Sequence, residues 1–402
     1  MTLELNQVAP QVKAMGRSLA QQQTTRAEAL ARARALLLQW SEQQSALHER
    51  IRRAEKVQQT QRFDWVGAAP TAEALAQAHP LPAGPEQVTV IASDGSQIYP
   101  DAHALTLYYL INVGCIVYRH GSGQKPLAFN PPPALYFEPD DLFDAQGNLI
   151  SGGEVSVRRD LAELRVLVDE IPKHTHPGEP VLALMDGQIP LRVIDLPFVQ
   201  QEQQISRYLE MLDIIRHSGA LLAGYIDRSR SNFVLSLLHL AGLEPAQITE
   251  ERLRRNSFHP LTDIDLFGDL LAPGERSALF AVRAKGQERY TQAGHGIHFF
   301  YLNVSARPQT PMLARVEIPA WVAEDAAALD ALHATLVRQA RISGDYPYVL
   351  ARADELAVIS GDERDAVEMM LAVELRRQRL SPDVSHKQRN KNNFRAGKER
   401  YA

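Results

Sequence analysis

Two Asp-Gly pairs carry the residue types that could do chemistry in this sequence, Asp94-Gly95 in IASDGS and Asp186-Gly187 in LALMDG. Each pair follows an apolar run that predicts a strand, so each carboxylate is expected at a strand tip, where the glycine permits a turn. A single Asp-Gly is most often only a turn. Because active sites of α/β sheets collect at the carboxyl ends of strands, the two aspartates together indicate a site.

The chemistry expected of such a site follows from its charge. Carboxylates gathered at one sheet edge repel each other and take up protons unless a divalent ion neutralises them. Oxygen ligands favour hard ions such as Mg²⁺ or Mn²⁺, and two ions about 4 Å apart can activate water and stabilise the leaving oxygen of a phosphodiester. We therefore expect two Mn²⁺ or Mg²⁺ ions and hydrolysis of nucleic acid.

The elements that must position these residues alternate along the chain. Strands are predicted at QVTVIASDGS, LTLYYLINVGCIVYR, ALYF, VLALMDG, ALLAGYID, IHFFYLNV and MLARVEIP. Helices are predicted over residues 157–171, 198–217, 232–241, 323–340, 348–358 and 362–380. Strands that alternate with helices of ten residues or more predict an α/β fold whose sheet is covered by helices.

The segment before the first predicted strand has a different pattern. Residues 1–65 predict a coiled-coil-like helical segment, because apolar residues recur at heptad spacing at Leu30, Leu37 and Ile51 and, in a second register, at Ala33, Trp40, Leu47 and Ala54. Such a stripe must be covered by the chain's own body or by a second copy. Residues 66–86 contain four prolines and predict a linker, and residues 87–380 a single catalytic domain.

Charge is distributed unevenly along the 402 residues. The formal net charge is −5, yet the tail at 381–402 holds six basic and two acidic residues. An acidic body with a basic tail predicts local contact with phosphates, for which Lys387, Arg389 and Lys391 are the candidates, or a solvated tail without a ligand. No signal-like or membrane-spanning segment is evident, so a cytoplasmic location is expected.

Five motifs resemble the NurA nuclease family. In order over residues 90–360 they are IASDGSQIYPD, LALMDGQIPLR, GYIDRSRSNFVL, FFYLNV with RVEIPAW, and YPYVLARADELAVIS. The resemblance implies an RNase H-like mixed sheet flanked by helices and a Mn²⁺- or Mg²⁺-dependent DNase with 5′-to-3′ exonuclease and single-strand endonuclease activity. It also implies a homodimer that acts in DNA end resection and double-strand break repair with the hexameric ATPase HerA.

The resemblance also implies site residues. Asp94 and Asp186 match the family's aspartate metal ligands, and a glutamate is expected on the helix before the second aspartate strand. Glu163 is the choice there, and Asp160 lies three residues away on the same helix face. Asp169 and Glu170 are further candidates.

The last family motif pairs a tyrosine with a histidine eight residues on, where this sequence has Tyr346 and Asp354. The aspartate can still ligate a divalent metal, but it cannot act as a neutral imidazole ligand. Metal preference is therefore open at this position. Tyr346 either orients a phosphate or packs.

Arg228 corresponds to a basic family position and either contacts a phosphate or pairs with Asp227. Arg315 and Glu317 are predicted to form an ion pair at a strand end.

Two other functions remain open. The protein could be a catalytically weakened scaffold that binds the ATPase, or an RNase H-like nuclease acting on RNA or hybrids, because discrimination depends on how the site meets a 2′-hydroxyl. No Walker-type glycine loop occurs in the sequence, so ATP-driven motion is expected to come from a partner.

Overall fold

The structure is a computed structural model that describes residues 4–61, 63–102, 104–144, 147–307 and 309–380. The basic tail residues Lys387, Arg389 and Lys391 lie outside the described residues. The described helices are α1 Leu5–Gln39, α2 Gln44–Gln61, α3 Pro139–Leu142, α4 Gly152–His174, α5 Phe198–Ser218, α6 Phe233–Ala241, α7 Glu250–Arg254, α8 Asp263–Phe267, α9 Glu288–Gln292, α10 Ala320–Ala323, α11 Ala326–Ser343, α12 Tyr348–Ala357 and α13 Gly361–Arg377.

The strands complete a mixed α/β fold. They are β1 Gly67–Pro70, β2 Ala78–His79, β3 Val88–Ile98, β4 Tyr109–His120, β5 Leu127–Phe129, β6 Ala134–Tyr136, β7 Val181–Asp186, β8 Leu221–Asp227, β9 Arg276–Ser277, β10 Phe280–Arg283, β11 Ile297–Asn303 and β12 Leu313–Pro319. The predicted major strands and helices agree with these bounds within a few residues, apart from the differences described below.

The chain forms two compact units. The first contains Met1–Pro85, Gly187–Pro190 and Ala223–Pro347. The second contains Glu86–Asp186, Leu191–Leu222 and Tyr348–Ala402, of which residues after 380 are not described.

The second unit is built on four neighbouring strands in the order β5-β4-β3-β7. β3 and β4 are antiparallel, β4 and β5 are antiparallel, and β7 returns parallel to β3 after α4. An antiparallel triplet followed through a helix by a strand parallel to the first is the order of an RNase H-like core. The predicted fold class is confirmed.

Helices α4 and α12 cover opposite faces of β3. Successive side chains of the strand point to alternate faces, so both helices contact it. On one face, Ser93 Oγ donates a 2.9 Å hydrogen bond to the Glu163 carbonyl of α4. On the other, Ser96 Oγ donates to the Ala357 carbonyl at the end of α12. Residues on both faces of β3 can therefore meet residues from a helix.

The first unit contains the strand order β1-β10-β11-β12-β8, with antiparallel pairing throughout. Helix α6 packs on β1, and α1 and α2 pack on α6. The apolar stripe predicted over residues 30–54 is covered within this unit, since Leu37, Leu47 and Ile51 are at most 2% exposed.

Two helices, rather than one, carry that stripe. α1 ends at Gln39 and α2 begins at Gln44, and between them Ser41 takes part in hydrogen bonds with another segment. Its carbonyl accepts from the Leu75 amide at 3.0 Å, and its Oγ accepts from the Ala76 amide at 3.1 Å. These contacts replace helical hydrogen bonds and turn the chain.

The segment at 66–86 differs from the predicted linker. It contains β1, which is buried and pairs with β10 from Gly67 opposite Arg283 to Pro70 opposite Phe280. Prolines exclude a helix here, but a proline is compatible with a strand at a sheet edge, which β1 occupies. This segment therefore belongs to the core of the first unit.

None of the described helices combines the length and the apolar character needed to cross a bilayer.

Candidate active site

Asp94 lies in the middle of β3, not at its tip. The strand continues to Ile98, and Gly95 pairs with Val113 of β4 as an ordinary strand residue, so the turn predicted at this Asp-Gly is wrong. The glycine has a different reason to be there, because an added Cβ would lie 2.6 Å from Glu163 Oε1 and 2.8 Å from Arg159 Cγ. Helix α4 can approach β3 this closely only at a residue without a side chain.

The second Asp-Gly is a turn, as predicted. Asp186 ends β7, and Gly187 has φ +96°, a conformation that favours glycine. β3 and β7 are parallel, and their last paired residues are Ser93 and Met185, so the next residue of each strand is the aspartate. The register therefore places Asp94 and Asp186 side by side on adjacent strands.

Asp354 reaches the same site from α12. A Cβ on Gly114, the strand partner of Asp94, would lie 2.4 Å from the Ala353 carbonyl oxygen, so this glycine permits close approach of the helix. The end of α12 is held by Asn112 Nδ2, which donates a 2.8 Å hydrogen bond to the Ala357 carbonyl. This anchor lies one turn beyond Asp354 and fixes its helix against β3 and β4.

The three aspartates affect one another electrostatically. The pKa of Asp94 is raised to about 6: burial raises it most, the Gly95 amide lowers it, and the negative charges of Asp186 and Asp354 and a hydrogen bond with Asp354 raise it. Like charges at short range disfavour the ionised state of Asp94. Carboxylates from β3, β7 and α12 are thus brought together.

Glu163 of α4 also interacts electrostatically with Asp94 and Asp186, whereas the charged neighbour that acts on Asp160 is Arg159. Burial raises the pKa of Glu163 well above its usual range, the charges of Asp160, Asp94 and Asp186 act in the same direction, and the charge of Arg159 opposes them. The pKa of Asp160 is raised by burial and lowered by Arg159. Because the charges of Asp94 and Asp186 act on Glu163, Glu163 is favoured over Asp160 as the carboxylate that α4 contributes to the site.

The other two carboxylates proposed on this helix have different surroundings. Asp169 is exposed, and Glu170 Oε1 lies 2.6 Å from Lys173 Nζ, an i,i+3 ion pair.

A divalent ion fits this donor set. The donors are all carboxylate oxygens, their mutual repulsion would be relieved by a cation, and the buried Oε1 of Glu163 has no hydrogen-bond donor of good geometry. In their present positions, no three His, Cys, Asp or Glu side chains of the described ranges converge tightly enough to hold an ion.

Two predicted site residues lie in the first unit. Tyr346 packs its ring edge-on against Tyr225, with 5.4 Å between the ring centroids. Arg228 has 83% of its side chain exposed, and its Nε lies 3.7 Å from Asp227 Oδ2. Both placements are compatible with either role stated for these residues, so a phosphate contact stays a prediction.

The predicted pairing of Arg315 with Glu317 is confirmed, but both residues lie within β12 and not at its end. Arg315 Nη2 donates to Glu317 Oε1 at 2.6 Å, and both side chains are almost completely buried. Glu317 Oε2 also accepts a 2.9 Å hydrogen bond from the Ile189 amide, just after the Gly187 turn. The pair therefore supports the backbone that follows Asp186.

Sequence reasoning missed one residue at the carboxylate cluster. Arg159 precedes Glu163 by one helical turn, and its Nε lies 3.0 Å from Glu163 Oε1. An arginine at i−4 from a glutamate is a local signal for an ion pair, and it was available in the sequence. The sequence did not indicate that this pair is half buried beside two aspartates.

Comparison with solved structures finds matches at low sequence identity and low TM-score. A crystal structure of NurA has 10% identity and a TM-score of 0.39, covering 73% of this chain and 90% of that chain. A crystal structure of NurA with manganese has 9% identity and a TM-score of 0.35, covering 74% and 90%. The catalytic domain of human Endonuclease V has 14% identity and a TM-score of 0.33, covering 82% and 98%.

Comparison with curated proteins finds no match. A sequence profile of the NurA domain matches residues 88–359, which is more than half of the chain. The matched range includes Asp94, Glu163, Asp186 and Asp354. The chain therefore belongs to the NurA family of nucleases.

Proposed function

We propose that the protein is a divalent-metal-dependent DNA nuclease whose metal ligands are Asp94, Asp186, Asp354 and Glu163. The observation that carries the proposal is the parallel register of β3 and β7, which places Asp94 and Asp186 side by side, with Asp354 hydrogen-bonded to Asp94 from α12. Carboxylates held together against their mutual repulsion are characteristic of sites that bind hard cations. The pairing of β3 with β7 and the anchoring of α12 maintain this arrangement.

Each residue has a separate task in the proposed reaction. Mn²⁺ or Mg²⁺, when bound, would supply Lewis-acid stabilisation and an activated water. Asp94 and Asp186, from a rigid pair of strands, would fix the ligand positions, and Asp354 would complete the set from the opposite helix. Glu163 would contribute from the other face of β3. Tyr346 would orient the phosphate of the substrate and Arg228 would contact it.

The substrate and partners form the finer part of the proposal. We propose single-stranded DNA and duplex ends as substrates, 5′-to-3′ exonuclease and single-strand endonuclease activity, and a role in end resection with a HerA-type hexameric ATPase. A net charge of −5 disfavours unaided binding to a polyanion, which supports a translocating partner. The basic tail with Lys387, Arg389 and Lys391 would contact phosphates. The proposed assembly is a homodimer.

The experiment is a nuclease assay on end-labelled DNA and on matched RNA and hybrid substrates, with Mn²⁺, Mg²⁺ or EDTA. We expect metal-dependent DNA cleavage by the unmodified chain and a loss of about 10³-fold or more in Asp94→Asn and Asp186→Asn. Asp169→Asn is the matched control, because it removes an exposed carboxylate from α4. Equal cleavage by Asp94→Asn and the control would refute the assignment.

The same assay separates the two alternatives. Preferential cleavage of RNA or hybrids would identify an RNase H-like activity on those substrates. No cleavage of any substrate, with or without a HerA-type ATPase, together with retained ATPase binding, would identify a scaffold.

A further inference from the structure

Arg159 is a cation built into the carboxylate site. Its Nε lies 3.0 Å from Glu163 Oε1, and its Nη2 donates to Asp160 Oδ1 at 2.6 Å. Its Nη1 donates to Gln97 Oε1 at 3.3 Å, and 29% of the side chain is exposed. The guanidinium thus links α4 to β3 at the point where Gly95 lets them approach.

Glu163 needs such a partner as long as no metal is bound. It is only 8% exposed, and the negative charges of Asp94 and Asp186 act on it. An ionised carboxylate in this environment is costly unless a cation compensates it. Arg159 supplies that charge, although the contact is an ion pair without good hydrogen-bond geometry at Oε1.

Arg159 has two acceptors besides Glu163, namely Asp160 and Gln97. Nη1 donates to Gln97, and Nη2 and Nε both donate to Asp160 Oδ1, at 2.6 Å and 3.2 Å, so only Nε is shared between Asp160 and Glu163. Loss of the contact with Glu163 would therefore leave the guanidinium held by two other acceptors. The Glu163 carboxylate can exchange one cation for another without releasing Arg159 to solvent.

We propose that Arg159 is a positioning residue that holds Glu163 in the metal-free protein. A divalent ion that binds Glu163 must displace Arg159 from it. This proposal rests on the proposed metal site. Arg159 sets the metal affinity through competition for one carboxylate and through repulsion of the incoming ion. It also stabilises the acidic site before the ion arrives.

The proposal fixes the signs of two effects. Arg159→Gln removes the competitor and a positive charge, so Mn²⁺ is expected to bind about tenfold more tightly. The metal-free variant is expected to melt at a lower temperature, because Glu163 loses its counter-charge. The increase in melting temperature on adding Mn²⁺ is then larger than in the unmodified chain.

The test is titration calorimetry of the full chain with MnCl₂ at pH 7.5, together with thermal unfolding with and without the ion. Arg165→Gln, on the exposed side of α4, is the matched control and should change neither quantity. Arg159→Lys keeps the charge but lacks the planar fork, so it should bind Mn²⁺ with an affinity between those of the unmodified chain and Arg159→Gln. It serves as the decisive variant if Arg159→Gln does not fold.

Affinity that is unchanged or weaker in folded Arg159→Gln or Arg159→Lys overturns the proposal, since Arg159 would then be neutral or would support ligation. Failure of the proposed metal site is a different result, namely no Mn²⁺ binding by the unmodified chain, and it would overturn both. Tighter binding by the variants, with the control unchanged, supports displacement.

Discussion

A Cβ at residue 95 would lie 2.6 Å from Oε1 of Glu163, so the glycine of β3 and the glutamate of α4 are fitted to each other without spare space. Gly95→Ala is therefore expected to displace Glu163 and Arg159 rather than to alter backbone conformation. A displacement of about 1 Å at a reacting site lowers activity about 10²-fold, and overpacking costs about 1–3 kcal/mol of stability.

Cleavage rate and thermal unfolding measured on the same preparation check this prediction. Gly361→Ala is the control, because a Cβ at this first residue of α13 meets nothing within 4 Å. Full activity in folded Gly95→Ala would show that the close contact has no bearing on the chemistry.

The pKa of Asp94, raised to about 6 by burial and by its aspartate neighbours, predicts how metal binding depends on pH. A proton on this carboxyl must leave before an ion binds, so Mn²⁺ affinity should rise as pH increases through about 6 and level off above. In the metal-free protein the sign is opposite: the stability due to this group is present below the unfolded-state pKa and is lost as pH rises through 6.

Asp354→Asn tests how much Asp354 contributes to the raised pKa of Asp94. Removing this negative charge lowers the pKa of Asp94, so the rise in Mn²⁺ affinity should move to lower pH while the affinity reached at pH 8 falls, because one ligand is lost. Calorimetric titrations between pH 5 and pH 8 measure both changes. Asp365→Asn, on the exposed surface of α13, is the control. An unchanged midpoint would mean that residues 94 and 354 do not interact.

Regular elements around the site could be predicted from the sequence, because their patterns are local. The apolar run at 181–186 predicted β7, and the periodicity after Pro347 predicted α12 almost to the residue. The paired aspartates could also be identified, since each follows an apolar run of buried residues. The choice of Glu163 depended on family resemblance, and its proximity to Asp94 depends on tertiary packing.

The missed features share a physical cause. Gly95 was interpreted as a turn residue because local reasoning explains a glycine by its conformational freedom, whereas here its small size matters. β1 was missed because its strand pairing is with β10, more than 200 residues later. The half-buried contact of Arg159 likewise depends on the approach of α4 to β3. Contacts between distant segments leave little trace in a local pattern.

Removing one charge of the buried Arg315–Glu317 pair is expected to cause a large loss of stability. Glu317→Gln leaves the guanidinium without its counter-charge and should lower the free energy of unfolding by about 3–5 kcal/mol. Replacing both residues by Met and Leu should recover much of that loss, because no charge is left buried.

Denaturant unfolding measures these changes. Glu251→Gln is the control, because Glu251 pairs with Arg255 where both side chains are more than three quarters exposed, and its loss should cost less than about 1 kcal/mol. Equal effects at the two positions would mean that the buried pair does not stabilise the unit.

The N-terminal half of α1 predicts where a second copy would bind in the proposed homodimer. Leu5, Val12 and Leu19 recur every seven residues and are 62%, 60% and 55% exposed, and Met15 lies between them at 63%. Such spacing forms the seam of a two-helix coiled coil, whereas Leu37, further along the helix, is already buried within the first unit. Deleting the whole N-terminal region would also remove these core contacts. A loss of the dimer could then result from unfolding and not from the missing seam.

The sharper variant is Leu5→Gln, Val12→Gln and Leu19→Gln combined, which removes apolar contact from the seam and leaves the buried part of α1 unchanged. Light scattering over a range of protein concentrations should show a dimer that dissociates at concentrations at least tenfold higher than in the unmodified chain, since about 1.4 kcal/mol is sufficient for that change. Lys13→Gln, between two seam positions, should leave the dimer intact. A dimer equally stable in the triple variant would mean that the interface lies elsewhere, and a monomeric unmodified chain would contradict the homodimer itself.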